Sequence, residues 1–257
     1  MTPDLLYDLQ DGIARITFSR PEARNALTFA MYDRLAEICT IAAQDRRVRA
    51  LVLTGAGAKA FAAGTDISQF RAFTSPDDAI TYEARLDHVL EAVERCPKPT
   101  IAAIAGACTG GGAAIAAACD LRIAARNLRF GFPIARTLGN CLSRANLARL
   151  AALIGPARVT EIIFTARLIE ADEAKSIGLV AEVLEDATAL ATRADELARL
   201  IAGHAPLTLR ATKEALRRLR TGEPSEQDLI LMCYMSNDFR EGMDAFLTKR
   251  HPIWTGT

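Results

Sequence analysis

The sequence predicts an α/β layer protein. Up to about residue 143, short apolar runs alternate with amphipathic helical stretches, and glycine turns separate the two. The chain is 257 residues long and half hydrophobic, enough to bury a substantial core in one large domain. Beyond residue 144 the pattern becomes nearly continuous helix, so the architecture expected is an α/β body followed by a helical region.

Taken in order, residues 13–18 alternate as a strand, and Arg20-Pro21 with Asn25 leads to Thr28, a side chain suited to cap a helix running to about Asp45. Residues 49–54 form a short apolar strand stopped by Gly55-Ala-Gly57. Residues 60–64 lead into Asp66 and a short helix, residues 76–96 into a longer one, and residues 100–104 into another strand. A helix over 110–118 and a strand over 121–125 complete the alternating part. Helices follow at 144–154, 157–165, 170–176, 186–203, 206–220 and 225–247, punctuated by Gly155-Pro156, Gly178, residues 203–206 and residues 222–224. So apolar a C-terminal region must pack on its own core or on a neighbouring subunit.

Composition narrows the partners. Thirty-one basic and 31 acidic residues cancel, so no footprint for nucleic acid or an anionic membrane surface is visible. A small molecule is the expected partner. The start of the chain is acidic and lacks the basic, then apolar, order of a secretory leader. Residues 99–119 are uncharged and carry a Gly106-xxx-Gly110 spacing, but they are mostly Ala and Gly and are bounded by Lys98 and Asp120, which favours a buried strand and helix over a membrane span. Six cysteines show no CxxC or metal-ligand spacing and three histidines are scattered, so reduced thiols in a cytoplasmic setting are expected, with no metal.

The chemistry concentrates where residues 101–104 run into Gly110-Gly111-Gly112 and an alanine-rich helix. The first turn of a helix leaves backbone N–H groups unpaired, and the helix dipole adds partial positive charge, so anionic oxygen is the natural guest. Glycines also remove every side chain that would hold a ligand off the backbone. The alternative is a glycine turn that serves only close helix packing.

Two segments together resemble the crotonase (enoyl-CoA hydratase/isomerase) superfamily: Lys59-Ala-Phe61-Ala-Ala-Gly64-Thr65-Asp66-Ile67-Ser68, and Ala105-Gly106 through the glycine triplet to Cys119-Asp120-Leu121-Arg122-Ile123-Ala124. Supporting matches are Arg20-Pro21-Glu22-Ala23-Arg24-Asn25-Ala26-Leu27, Lys98-Pro99, Phe130-Gly131-Phe132-Pro133, residues 171–180 and Glu241-Gly242-Met243-Asp244-Ala245-Phe246. The resemblance implies a crotonase-like spiral of ββα repeats over residues 1–200 and a helical oligomerisation region over 201–257, forming a homotrimer or a dimer of trimers. It implies an acyl-CoA thioester as substrate, with coenzyme A as part of that substrate and no separate cofactor. By motif position, the backbone N–H groups of Thr65 and Gly111 would form the oxyanion hole for the thioester oxygen as it gains enolate charge. The nucleotide would lie near Arg24 and Ala26 and the pantetheine along Ala62, Gly64, Asp66 and Ile67. Thr109 joins this substrate-binding set, and the phosphates would lie near basic residues including Lys249. Thr65 replaces a smaller residue, and its hydroxyl would narrow the pocket or bond to Asp66.

The departures matter as much. Family hydratases use two glutamates, and the matching positions hold Ala114 and Ile134; a further acid used by some isomerases would fall at Leu142 or Ser143. Classical hydration is therefore not expected, because addition of water needs an acid and a base. The loop after Ile134 is polar, and Asn140 and Cys141 fall where a decarboxylating branch places a polar group. They are the tentative catalytic pair; alternatively Asn140 caps the next helix and Cys141 is core. Loss of CO₂ from a malonyl-type thioester creates an enolate without a base. Other carboxylates could enter from the helix over 76–96, where Glu83, Asp87 and His88 share neighbouring faces, and Asp66 adjoins Thr65. The function expected is an acyl-CoA enzyme acting through an enolate, with a malonyl-type decarboxylase or a non-catalytic acyl-CoA binder as alternatives. A dinucleotide site fits poorly, since Ile115 stands where a small residue is needed, and no G-x-S-x-G occurs for a serine hydrolase.

Overall fold

The computed structural model describes residues 4–257; residues 1–3, at the head of the segment read as no leader, lie outside the described residues. The chain opens with an antiparallel hairpin of β1 (Leu5–Gln10) and β2 (Ile13–Phe18). Its turn is Asp11-Gly12, both at positive φ, the tight-turn pair that the right-handed twist of two strands favours. Helix α1 (Phe29–Gln44) follows, and Thr28 caps it by accepting from the Met31 N–H.

A repeating unit then sets the architecture. In each turn one strand enters a large sheet, the next a small sheet, and a helix closes the circuit. The turns are β3 (Ala50–Gly55), β4 (Ala60–Ala62) and α2 (Pro76–Arg95); β5 (Thr100–Ile104), β6 (Ala107–Thr109) and α3 (Gly111–Ala118); and β7 (Leu121–Ala125), β8 (Arg129–Gly131) and α4 (Ile134–Thr137). Helices α5 (Arg144–Ile154) and α6 (Pro156–Thr165), β9 (Ile169–Glu170), α7 (Ala171–Ser176), β10 (Glu182–Leu184), α8 (Ala187–Ala202), α9 (Pro206–Thr221), α10 (Gln227–Tyr234) and α11 (Asn237–Thr248) complete the chain. The large sheet runs β1-β2-β3-β5-β7-β10 and the small one β4-β6-β8-β9. This is the spiral of ββα repeats that the motifs imply.

The central parallel strands of the large sheet are apolar on both faces, as strands covered on both sides must be. Leu51, Leu53, Ala102, Ile104 and Ala124 belong to a core shared with α1, α2 and α3, while Val52, Ile101, Ala103 and Ile123 pack under α8 through Leu190, Ala194 and Ala198. Helix α3 threads the first of these cores. All eight of its residues are buried, and Ile115 is the only one larger than alanine. Alanine is the best helix former and lets the helix approach its neighbours closely. At its far end the buried Arg122 guanidinium donates to the Cys119 carbonyl at 2.6 Å and the Ala116 carbonyl at 3.3 Å, adding a cationic donor where the helix ends.

The sequence misses β1, β4, β6, β8, β9 and β10, so residues 105–110 are not one turn and the region after residue 144 is not helix throughout. Most of these strands have two or three residues, too few to show a period of two. The single helix expected over 225–247 is two helices. It breaks at Ser236, whose hydroxyl caps α11 by accepting from the Phe239 N–H.

Gly112 marks the close contact between β4 and α3. A Cβ placed there would lie 2.2 Å from the Ala62 carbonyl oxygen and 2.7 Å from the Ala62 Cβ. Gly112→Ala is therefore expected to lower the stability of the fold by about 1–3 kcal/mol or more, the usual cost of overpacking. Urea unfolding checks this, and an unchanged midpoint would show that β4 and α3 are not held in contact.

Candidate active site

Three stretches of backbone converge beside α3. Residues 24–27 run alongside 63–66: the Ala63 N–H donates to the Arg24 carbonyl at 3.1 Å, the Leu27 N–H to Gly64 at 2.8 Å, and the Asp66 N–H to Leu27 at 2.9 Å. Buried Asn25 fixes this pairing, with its amide donating to the Ala60 carbonyl at 2.7 Å and to Ala56 at 3.1 Å. On the other side lies Gly110. Gly64 at φ +100° and Gly110 at φ +52° meet almost backbone to backbone, since a Cβ on Gly64 would stand 3.9 Å from the Gly110 Cα.

This pairing leaves two donors over. In the parallel bridge between Leu27 and Thr65, Leu27 uses the carbonyl of Gly64 and the N–H of Asp66, so the N–H of Thr65 itself turns to the opposite edge. The N–H of Gly111 is one of the orphans of a helix start. Among the described residues neither N–H has a hydrogen-bond partner. Two free donors and the positive end of α3 form a small electropositive notch without a charged side chain.

Behind it runs a chain of hydroxyls. Tyr32 of α1 and Tyr82 of α2 each lie 2.8 Å from the Thr65 hydroxyl. The Tyr32 oxygen presses on Gly111, where a Cβ would fall 1.9 Å from it. Burial raises the pKa of both phenols, so they stay protonated. Tyr82 also packs edge-on against Phe70 at 4.9 Å and beside Phe29 and Phe73, giving the notch an aromatic wall. These tyrosines are the residues sequence reasoning missed. Each occupies a core-facing helix position where a hydroxyl is indistinguishable from core, and only the tertiary approach reveals its partner.

The structure brings Arg24, Ala26, Ala62, Gly64, Thr65, Asp66, Ile67, Thr109 and Gly111 into one neighbourhood. Arg24 and Ile67 are exposed and Ala62 is buried. The Thr65 hydroxyl does not bond Asp66. Asp66 instead caps the following turn, accepting from the Ser68 N–H and hydroxyl and pairing with Arg20 at 2.9 Å; Ser68 first and Arg20 next hold its pKa down. Lys249 is exposed at the end of α11, and no hydrogen bond or ion pair among the described residues links it to this neighbourhood. Asn140 and Cys141 lie on an exposed loop. Asn140 does not cap α5, because Ser143 does, and Cys141 is not core. Ser143 also donates to Asp87 of α2 at 2.6 Å, pinning this loop to that helix. Ala114 and Ile134 are both buried. A separate cleft of about 690 Å³ between α3, α5 and α9 lies away from these residues.

Against known proteins, the sequence model for "Enoyl-CoA hydratase/isomerase" matches residues 8–257. The chain belongs to the enoyl-CoA hydratase/isomerase family. A short-chain-enoyl-CoA hydratase of Clostridium acetobutylicum is 35% identical over 96% of this chain and 95% of its own. Among solved structures, an enoyl-CoA hydratase/carnithine racemase of Magnetospirillum magneticum has a TM-score of 0.92 at 35% identity, covering 100% of this chain and 97% of that one. A putative enoyl-CoA hydratase/isomerase family protein of Hyphomonas neptunium has a TM-score of 0.93 at 38% identity, covering 100% and 99%. As a member of this enoyl-CoA hydratase/isomerase family, the chain is an enzyme that processes acyl-CoA.

Thr65→Val keeps the shape and backbone N–H of Thr65 but strands the buried Tyr32 hydroxyl. It is expected to cost about 1–3 kcal/mol, and adding Tyr32→Phe should restore part of that by removing the orphaned group. Chemical denaturation of the single and double variants checks this; strictly additive losses would mean the two hydroxyls are not coupled.

Proposed function

We propose that the chain binds an acyl-CoA thioester and stabilises the enolate of its acyl group between the N–H groups of Thr65 and Gly111. The supporting observation is that these two donors are unpaired and adjacent at the positive end of α3. A thioester becomes acidic at its α-carbon only if the developing oxyanion meets fixed donors, and each is commonly worth about 10²–10³ in rate. The nucleotide is read as lying near Arg24 and Ala26, the pantetheine along residues 62–67 beside Thr109, and the phosphates near Lys249. Hydration is disfavoured because Ala114 and Ile134 offer neither acid nor base. Those same two residues favour a second reading, loss of CO₂ from a malonyl-type thioester with Asn140 and Cys141 at the rim, since that reaction needs no base.

The C-terminal helices leave Leu216, Leu219, Phe246 and Leu247 more than 60% exposed, which supports a homotrimer or a dimer of trimers. Light scattering should give three or six times the 27.7 kDa of one chain, and a monomer at micromolar concentration would contradict this.

The function is tested with a panel of acyl-CoA thioesters in D₂O, read by mass spectrometry. Deuterium at the α-carbon, or CO₂ loss from a malonyl-type thioester, is expected, with crotonyl-CoA hydration very low. Thr65→Pro and Gly111→Pro should abolish turnover, each removing a donor, while Thr65→Ala keeps the N–H and should be far milder. Efficient crotonyl-CoA hydration would overturn the reaction assigned, and binding with neither exchange nor CO₂ loss would reduce the chain to a binder.

A further inference from the structure

We infer that Glu83 of α2 is the group that moves the α-proton, in place of the carboxylates missing at residues 114 and 134. The inference rests on the enolate reading above and adds the base that this reading lacks. Tyr82, its neighbour in the helix, reaches the Thr65 hydroxyl at 2.8 Å, so this turn of α2 lies directly against one oxyanion donor. Burial first, with the charge of the Glu83 carboxylate as a smaller contribution, raises the pKa of the Tyr32 and Tyr82 phenols, so the carboxylate is near both. One helical turn on, Asp87 holds Ser143 at 2.6 Å, so the face carrying Glu83 and Asp87 lies between the notch and the loop after Ile134.

The two carboxylates differ in occupation. Asp87 is engaged by Ser143, whereas Glu83 makes no hydrogen bond or ion pair among the described residues although it is partly buried. A carboxylate so placed is an uncommitted base. Burial, and then the charge of Asp87, raise its pKa from the ordinary value, toward that of a proton-transfer group. Asp66, the other nearby acid, is held by Arg20 and Ser68 and is unavailable.

The step balances without a further reactant. The Glu83 carboxylate takes the α-proton, the C–H electron pair forms the Cα–C double bond, and the carbonyl π pair moves to the thioester oxygen between Thr65 and Gly111. The protonated Glu83 then returns the proton at the α-carbon, or at the γ-carbon of an unsaturated chain, which shifts its double bond.

The test measures α-deuterium exchange of saturated and β,γ-unsaturated acyl-CoA thioesters by wild type, Glu83→Gln, Glu83→Asp and Asp87→Asn. Glu83→Gln should lower kcat by about 10²–10⁴-fold with KM little changed, and Glu83→Asp should recover part of the loss. Removing a carboxylate whose ionisation burial opposes should leave the melting temperature at neutral pH equal or higher, which separates lost chemistry from lost fold. Exchange by wild type that persists in Glu83→Gln, or that is lost only in Asp87→Asn, would overturn the assignment of Glu83 alone. A wild type that loses CO₂ from a malonyl-type thioester without exchanging would also overturn it, leaving the enolate reading intact. Neither reaction by wild type would overturn both.

Discussion

The contact between the Ala62 carbonyl and Gly112 is the constraint from which the site follows. It holds the end of β4 against the first turn of α3 at a distance no side chain on residue 112 permits. Three features of the chain serve that approach. Gly64 and Gly110 take backbone angles that other residues resist, α3 is built from alanine so that it fits inside the core, and Arg122 adds a cationic donor at its far end. Asp120 fastens the same end, accepting from the Thr100 N–H at 2.8 Å and from Lys213 of α9 at 2.7 Å. The helix is thus held at both ends, and its orientation fixes where the donors point.

The electrostatics of the notch come from peptide dipoles rather than ionised side chains. Such a field needs no counter-charge and does not vary with pH over the range in which the protein is folded. Of the charges nearby, Arg20 is paired with Asp66 and Arg85 with Asp33, and among the described residues Glu83 is left without a partner. The field at the start of α3 is therefore set by the backbone, whatever side chains α2 and the loop after Ile134 present around it.

Legibility in the sequence followed the length and chemistry of each feature. Helices α1, α2 and α5 carry cap residues and apolar stripes over several turns, and their bounds are readable within a residue or two. The two unpaired donors of the notch are legible because glycine is the signal and the free group is a backbone N–H. The small sheet is not, because its strands are too short for a pattern and its existence depends on partners distant in sequence. The Tyr32–Thr65–Tyr82 contact joins residues 33 and 17 positions apart, and no local rule connects them. Asn25 reads in the sequence as one residue of a motif, and only the fold shows its buried amide donating to the Ala60 carbonyl beside the pairing of residues 24–27 with 63–66. Asn140 fails as a cap for a local reason: Ser143 lies at the residue before α5 begins, where a side-chain oxygen reaches the N–H of Asn146.

The three hydroxyls behind the notch also have a direction. Each carries one proton, so Thr65 can donate to at most one of its two tyrosines and accepts from at least one of them. Two of the proton arrangements run head to tail, one from α1 to α2 and one the reverse, and these two have opposite dipoles along the chain of hydroxyls. Negative charge forming in front of Gly111 would favour one arrangement over the other through rotation of hydroxyl groups, without movement of a heavy atom. The back wall of this site is in that sense a polarisable element, set by the charge it faces.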